Sequence, residues 1–396
     1  TVPAGNRLVI ELVNVDEGSP HDLSFGGDVR TPRVMPGRSA TLDAGVVGAG
    51  GQGWCTIVGH RRMGMVLDVV VEGGSPQVTD AGGAADAEAT ADGIPLGQEP
   101  DAAFRAVDAA LPPLDARRVR EVTLTVEEVE LEVAPGVRQK RWTFGGSVPG
   151  PTLHGRVGDT FVVTLVNHGS MGHSVDFHAG ERAPDDVMRT IAPGSSLTYR
   201  FTAERAGIWM YHCSTMPMSA HIAAGMHGAV VIEPEGLPAV DHSYVLVQSE
   251  AHVDGDGEGP VREVDADSAA ADTPDAVVFN GVANQYDAEP LTARVGDRVR
   301  LWVLAAGPNR GSAFHVVGGQ FDTVWSEGAY LLRSGRGPID GSAAVTAAGG
   351  SQVLGLAPAQ GGFVELALDE PGSYPFVTHA MADAERGAHG ILAVTP

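Results

Sequence analysis

His212 and Cys213 are neighbours in Tyr211-His212-Cys213-Ser214-Thr215-Met216-Pro217-Met218-Ser219-Ala220-His221, with Met226 five residues further on, and this segment constrains the fold more than any other. On an extended strand adjacent side chains project to opposite faces, so if Cys213 turns to one metal, His212 turns to another. A thiolate, two imidazoles and a thioether are the soft and borderline ligands of a blue-copper electron-transfer centre, and His173, Cys213, His221 and Met226 supply that set. His178, in His173-Ser174-Val175-Asp176-Phe177-His178, is left over together with His212. His173 and His178 lie an odd number of residues apart and divide between two faces in the same way. Two metals joined through one peptide unit give an electron a short covalent path, which implies redox catalysis and not carriage alone.

A strand framework agrees with the composition. The 53 Gly and 26 Pro, with recurring Val, Thr and Ile runs, predict an all-β chain of many short strands and turns. Its 396 residues suffice for two or three domains with their own cores. No run approaches the roughly 20 apolar residues of a membrane helix, and no signal-peptide pattern begins at Thr1, so the chain as given reads as soluble. A formal net charge of −24 argues against nucleic acid and for cationic or weakly charged partners. The basic residues are nearly all arginine, Lys140 being the single lysine. Two cysteines, Cys55 and Cys213, are too few for a disulfide framework, and each sits in its own ligand pattern.

Three strand-rich sections follow one another. Residues 1–73 hold a strand-like Thr1-Val2-Pro3-Ala4-Gly5 with no opening strand before it, then Val9-Ile10-Glu11-Leu12-Val13-Asn14-Val15 and a closing Met65-Val66-Leu67-Asp68-Val69-Val70-Val71. Residues 74–113, rich in Ala, Asp, Gly and Glu, read as a flexible acidic linker with one short helix near 102–110. Residues 114–236 and 237–396 form a second and a third sandwich, in which 254–275 and 334–351 read as surface loops. The sections share an order of events, which predicts divergent copies of one repeat: a strand, a His after it, a Gly turn and a closing strand. The first copy repeats the ligand chemistry with His21, Cys55, His60 and Met65; Met63 could replace Met65, but His-x4-Met matches the spacing at His221 and Met226.

With these motifs the chain resembles the copper-containing nitrite reductases, in the branch with the shorter Cys-to-His loop: seven residues separate Cys213 from His221. Phe314-His315-Val316-Val317-Gly318-Gly319 and Val377-Thr378-His379 are similar to that family's second-domain motifs, and the resemblance runs from about Trp142 to Pro396. Residues 1–73 resemble a plastocyanin-like cupredoxin of the kind fused to some members. The resemblance implies three cupredoxin-like Greek-key β-sandwiches, with a type 1 copper on His173, Cys213, His221 and Met226 and another on His21, Cys55, His60 and Met65. It implies a type 2 copper on His178 and His212, with His379 of a neighbouring subunit as third ligand. A homotrimer with about three coppers per chain follows. Asp176 takes the place of the catalytic aspartate and His315 that of the catalytic histidine. The threonine that supports the catalytic His in that family is replaced, with Val353 or Gln352 falling there, and Val317 stands where isoleucine is usual; both changes bear on rate and pH optimum.

The chemistry of the residues agrees with these roles. Reducing nitrite to nitric oxide and water consumes one electron and two protons, so the site needs an open metal position with proton donors beside it. Three imidazoles leave such a position. Asp176 shares a face with His178 if the segment is extended, and an imidazole titrates near pH 6.5. Asp176 could instead orient a ligand His. His154, His168, His227, His242, His252 and His389 fit no ligand spacing and read as surface or structural.

The implied electron source is the first domain, loaded by an external donor protein or a small reductant and tethered at high effective concentration. Copper–thiolate and nitrite chemistry suit an exported, extracytoplasmic protein, anchored through a segment ahead of Thr1 if one exists. Two rival readings remain open: a laccase-like multicopper oxidase, and a copper or electron carrier without catalysis. Against the first, Asp176-Phe177-His178 stands where a paired His-x-His would be expected, and Ser214 follows Cys213. Against the second, a carrier gives no purpose to Asp176, His178 and His212.

Overall fold

The computed structural model describes residues 1–16, 19–26, 29–57, 60, 65–72, 94, 96, 100, 101, 104–254, 261–337 and 349–396. The chain divides into two compact units, Thr1–Asp92 and Gly93–Pro396. Both are all-β, as expected, and the helices among the described residues span only four to six residues each.

In the first unit Arg7–Val13 alternates exposed with half-buried residues and pairs antiparallel with Ser39–Val46. A second sheet is built from Ser24–Phe25, Gly51–Trp54 and Val66–Val69 with the short strand Val29–Arg30 at its edge. A small core of Leu23, Phe25, Leu42, Val47 and Val69 lies within this unit. Val2–Pro3, within the strand-like start of the chain, runs parallel to Val71–Glu72.

The second unit holds the other two sandwiches. In one, Ser196–Thr202, Thr160–Asn167, Val119–Ala134 and Val137–Phe144 form a sheet facing Leu153–Arg156, His227–Glu233, Gly207–His212 and Asp176–Phe177. Thr160–Asn167 alternates half-buried and buried positions, as a strand with one face on a core must. The third sandwich packs a six-stranded sheet, which includes His242–Ala251, Arg298–Gly307 and Gly361–Ala367, on a five-stranded one that carries Ser312–Val316, Gly372–Thr378 and His389–Thr395.

Arg298–Gly307 explains why these two sandwiches make one unit. All but its first residue are buried, on both faces. Leu301, Val303 and Ala305 enter the third sandwich's own core. Trp302, Leu304 and Ala306 instead join Ile208, Met210, Ala229 and Val231 of the neighbouring sandwich. A strand apolar on both faces needs two partners, and each fully buried Leu or Val side chain contributes at most about 1.5–3 kcal/mol.

Two expectations need correction. The end of the proposed linker is not free: Ala109 is buried, Leu111 N–H donates to the Ser243 carbonyl at 2.9 Å, and the Tyr286 hydroxyl donates to the Val107 carbonyl at 2.9 Å. Residues 104–110 are not helical, because their backbone groups are satisfied by the third sandwich. Residues 73–93, 95, 97–99, 102 and 103 lie outside the described residues. The stretch 254–275 is also not merely a loop. Val261–Arg262 adds a strand beside Arg138–Gln139, and Ala266–Ala271 forms a short helix capped by Asp265, whose carboxylate accepts from the amides of Asp267 and Ser268. Of 334–351, residues 338–348 lie outside the described set.

Candidate metal centres

Backbone hydrogen bonds fold the Cys213 segment around one point. The strand Gly207–His212 ends at Cys213, whose N–H donates to the Met226 carbonyl at 3.1 Å; Met226 N–H in turn donates to the His221 carbonyl at 3.1 Å. His221 lies on the short helix Met218–Ala223. Asn167 anchors the opposite side, its amide donating to the carbonyls of Met171 and Ile191, while His173 and Ile191 exchange backbone hydrogen bonds. Cys213 Sγ comes 3.3 Å from His221 Nδ1 and 3.8 Å from His173 Nδ1. A metal holding thiolate and imidazole tetrahedrally requires S···N edges of about 3.5 Å, so the donor atoms fit one ion. His173, Cys213, His221 and Met226 are all buried.

The protonation states suit a metal. Burial drives the His221 imidazole down to about 3, which keeps it neutral with its lone pair available. Burial alone would raise the Cys213 thiol, but His173 and the amides of Ser174 and Thr215 outweigh it and hold the thiol below its ordinary value.

The first unit repeats this scaffold bond for bond. Asn14 donates to the carbonyls of Ser19 and Val34, His21 and Val34 exchange backbone hydrogen bonds, Cys55 N–H donates to the Met65 carbonyl, and Met65 N–H donates to the His60 carbonyl. Cys55 Sγ lies 3.5 Å from His60 Nδ1 and 3.8 Å from His21 Nδ1, and the two Nδ1 atoms are 3.1 Å apart. Burial pushes the Cys55 thiol up, and the charge of Asp22 acts in the same direction. Met63 lies outside the described residues. Both cysteines are free thiols.

On the other side of the Cys213 strand lies the second cluster. Asp176 pairs in register with His212, and His178 N–H donates to the Met210 carbonyl, which brings Asp176, His178 and His212 together. His178 Nε2 and His212 Nε2 are 3.1 Å apart, and the Asp176 carboxylate lies 3.8 and 4.0 Å from them. His212 Nδ1 sits 3.0 Å from the Cys213 carbonyl, which accepts from a protonated Nδ1 and leaves Nε2 for a metal. Burial, then the neighbouring His212, lowers His178, while Asp176 opposes them. A cavity of about 240 Å³ opens beside His178, lined also by Glu181, Glu204, Arg205 and Trp209.

His379 is not part of that cluster within the chain. It pairs instead with His315: the rings lie 5.7 Å apart near the ends of Gly372–Thr378 and Ser312–Val316, with His379 exposed and His315 half-buried. The His315 partner left open in the sequence is the Gln352 main-chain carbonyl, 2.6 Å from Nδ1, which any residue at that position could supply. Val317 is exposed. Of the other histidines, His227 and His252 are buried, and His242 and His389 pair with Asp297 and Asp287.

Sequence reasoning missed Trp142. Its buried indole meets the His173 ring at 5.7 Å and the His221 ring at 4.9 Å, both edge-on. No ligand pattern marks such a residue, since it touches the donors and is not one.

Known proteins carry the same architecture. A multicopper oxidase family model matches residues 125–236. The copper-containing nitrite reductase of Neisseria gonorrhoeae is 37% identical over 292 residues, which cover 72% of this chain and 71% of that protein. Among solved structures, a copper nitrite reductase from Nitrosomonas europaea aligns with a TM-score of 0.61 at 30% identity, covering 70% of this chain and 94% of that one. A multicopper oxidase structure aligns at 0.59 with 28% identity, covering 70% of this chain and 89% of that one. With such identity sustained across more than two thirds of both chains, this protein belongs to the copper-containing nitrite reductase family.

Proposed function

We propose that the chain reduces nitrite to nitric oxide and water, taking up one electron and two protons per turnover. The observation that carries this reading is the clustering of Asp176, His178 and His212 on the reverse side of the strand that ends at Cys213. His173, Cys213, His221 and Met226 would hold the copper that receives electrons, and His178 and His212 the copper that meets substrate. Copper, when bound, supplies one-electron redox chemistry and an open position for an oxyanion. Asp176 lies close enough to both Nε2 atoms to hydrogen-bond a nitrite oxygen there and deliver a proton to it.

The pair of exposed His379 and half-buried His315 would supply what that cluster lacks, a third imidazole and a second proton donor. A homotrimer would bring this pair from one subunit to the Asp176 face of the next. Residues 1–73 would serve as a tethered electron donor with a copper of their own, reloaded by an outside protein or a small reductant. Copper–thiolate chemistry and the substrate support a place outside the cytoplasm, which cell fractionation would test.

The experiment is a nitrite-to-nitric-oxide assay with reduced, copper-loaded protein. Asp176→Asn should lower turnover about 100- to 10,000-fold while leaving the blue absorption of the Cys213 centre intact. Undiminished turnover in that variant, or oxygen reduction in place of nitrite reduction, would overturn the assignment.

A further inference from the structure

The two copies of the Cys-His-His scaffold share their ligands and their backbone hydrogen bonds, yet their charged surroundings differ. In both, main-chain amides face the sulfur: those of Asp22 and Ile57 at Cys55, those of Ser174 and Thr215 at Cys213. The residue after the first His ligand is where they part. Ser174 places a neutral hydroxyl 3.8 Å from Cys213 Sγ and bonds onward to Ser214 and Thr215. Asp22 is the corresponding residue, and its carboxylate is buried, acts on the Cys55 thiol and is held by the Thr56 amide at 2.6 Å and the Thr56 hydroxyl at 2.7 Å.

The far side of the first His ligand differs as well. His21 Nε2 meets the Asp16 carboxylate at 3.4 Å, whereas His173 Nε2 is buried with no hydrogen-bond partner among the described residues. A carboxylate on the outer nitrogen makes an imidazole a stronger donor, and any nearby anion stabilises the more positive, oxidised metal. The Cys213 centre is also drier: all three of its clustered donors are buried, while His60 in the first unit is half-buried. Burial without counter-charge favours the less positive, reduced metal.

We propose that Asp22 and Asp16 hold the reduction potential of the N-terminal copper centre below that of the His173, Cys213 and His221 centre. This rests on the reading that both sites hold copper. The consequence is direction: one electron leaves the N-terminal centre, which is oxidised, and the same electron reduces the centre in the second unit, with no proton or further reactant required. Asp22 contributes more than Asp16, because it is buried and Asp16 is 41% exposed and screened by solvent.

The test is spectroelectrochemical titration of the full copper-loaded chain, in which Cys213→Ser leaves only the N-terminal blue centre and Cys55→Ser only the other. The N-terminal midpoint is expected to be lower by at least tenfold in the one-electron equilibrium, or about 59 mV. Asp22→Asn should raise it, Asp16→Asn should raise it by less, and Ser174→Asp in the other unit should lower that centre's midpoint. The last two variants leave Asp22 and its bonds to Thr56 in place, so the idea stays exposed should Asp22→Asn fail to fold. Equal or reversed midpoints, or midpoints indifferent to Asp16→Asn and Ser174→Asp, overturn the proposal while leaving the copper assignment standing. Loss of all blue absorption in Cys213→Ser would remove the assignment of copper to Cys55, and the proposal with it.

Discussion

Trp142 is where packing and electron chemistry meet at the scale of one residue. Its indole covers the rings of both His173 and His221, so it fixes their planes relative to Cys213. Trp142→Ala should cost about 3–5 kcal/mol in thermal or denaturant unfolding and should broaden or shift the blue absorption band, while Trp142→Phe restores most of both. An unchanged spectrum in the Ala variant would show that the rings are held by other contacts. The His, Cys and Asp residues that the fold brings into three clusters were legible in the sequence because metal-binding chemistry demands particular residue types at workable spacings. Trp142, Asp22 and the Gln352 carbonyl were not, because each acts by position alone, and position comes from partners distant in the chain.

At the scale of elements, Arg298–Gly307 joins the two sandwiches of the second unit, and its neighbour Gly361–Ala367 shows how closely they meet. A Cβ on Gly361 would fall 2.3 Å from the Ile208 carbonyl oxygen, a main-chain atom that cannot swing aside. Gly361→Ala should therefore cost about 1–3 kcal/mol, read as a lowered unfolding midpoint. Glu250, 1% exposed on His242–Ala251, is a buried polar anchor within the third sandwich. Its carboxylate accepts from the amides of Asn309 and Arg310, each at 2.7 Å, and meets His252 Nε2 at 3.2 Å.

Burial alone would raise the Glu250 carboxyl, but His252 and these amides outweigh it and set the folded value below the ordinary 4.5. The unfolded chain therefore takes up the proton first. The stability that Glu250 confers is present above 4.5 and is lost as the pH falls through the folded value. Glu250→Gln should destabilise by about 2–4 kcal/mol near neutral pH, with the gap to the wild type closing as pH drops below 4.5. Denaturant titrations at the two pH values check both parts. Strand alternation made Thr160–Asn167 readable from sequence. The short strand Val261–Arg262 was not, because two residues cannot display a period.

For the whole molecule, the separation of Asp176, His178 and His212 from His315 and His379 carries a prediction about assembly. Asp176→Asn chains and His379→Ala chains should each be nearly inactive alone. Co-assembled, they should recover part of the turnover, because some interfaces would join an intact Asp176 face to an intact His379. Absence of recovery in mixed oligomers of verified composition, or a solution mass of one chain, would refute the shared site.

The amino-acid sequence by itself determined the all-β class and singled out the residues that meet in three clusters, because side-chain chemistry and strand periodicity are local and survive without knowledge of partners. Only the tertiary structure decided that the second and third sandwiches fuse through a doubly buried strand and that residues 104–113 dock instead of swinging free. The same is true of the carboxylate beside Cys55 where a hydroxyl stands beside Cys213. Those facts depend on which distant segments meet. Burial and electrostatic environment are properties of the packed chain, and residue order alone does not carry them.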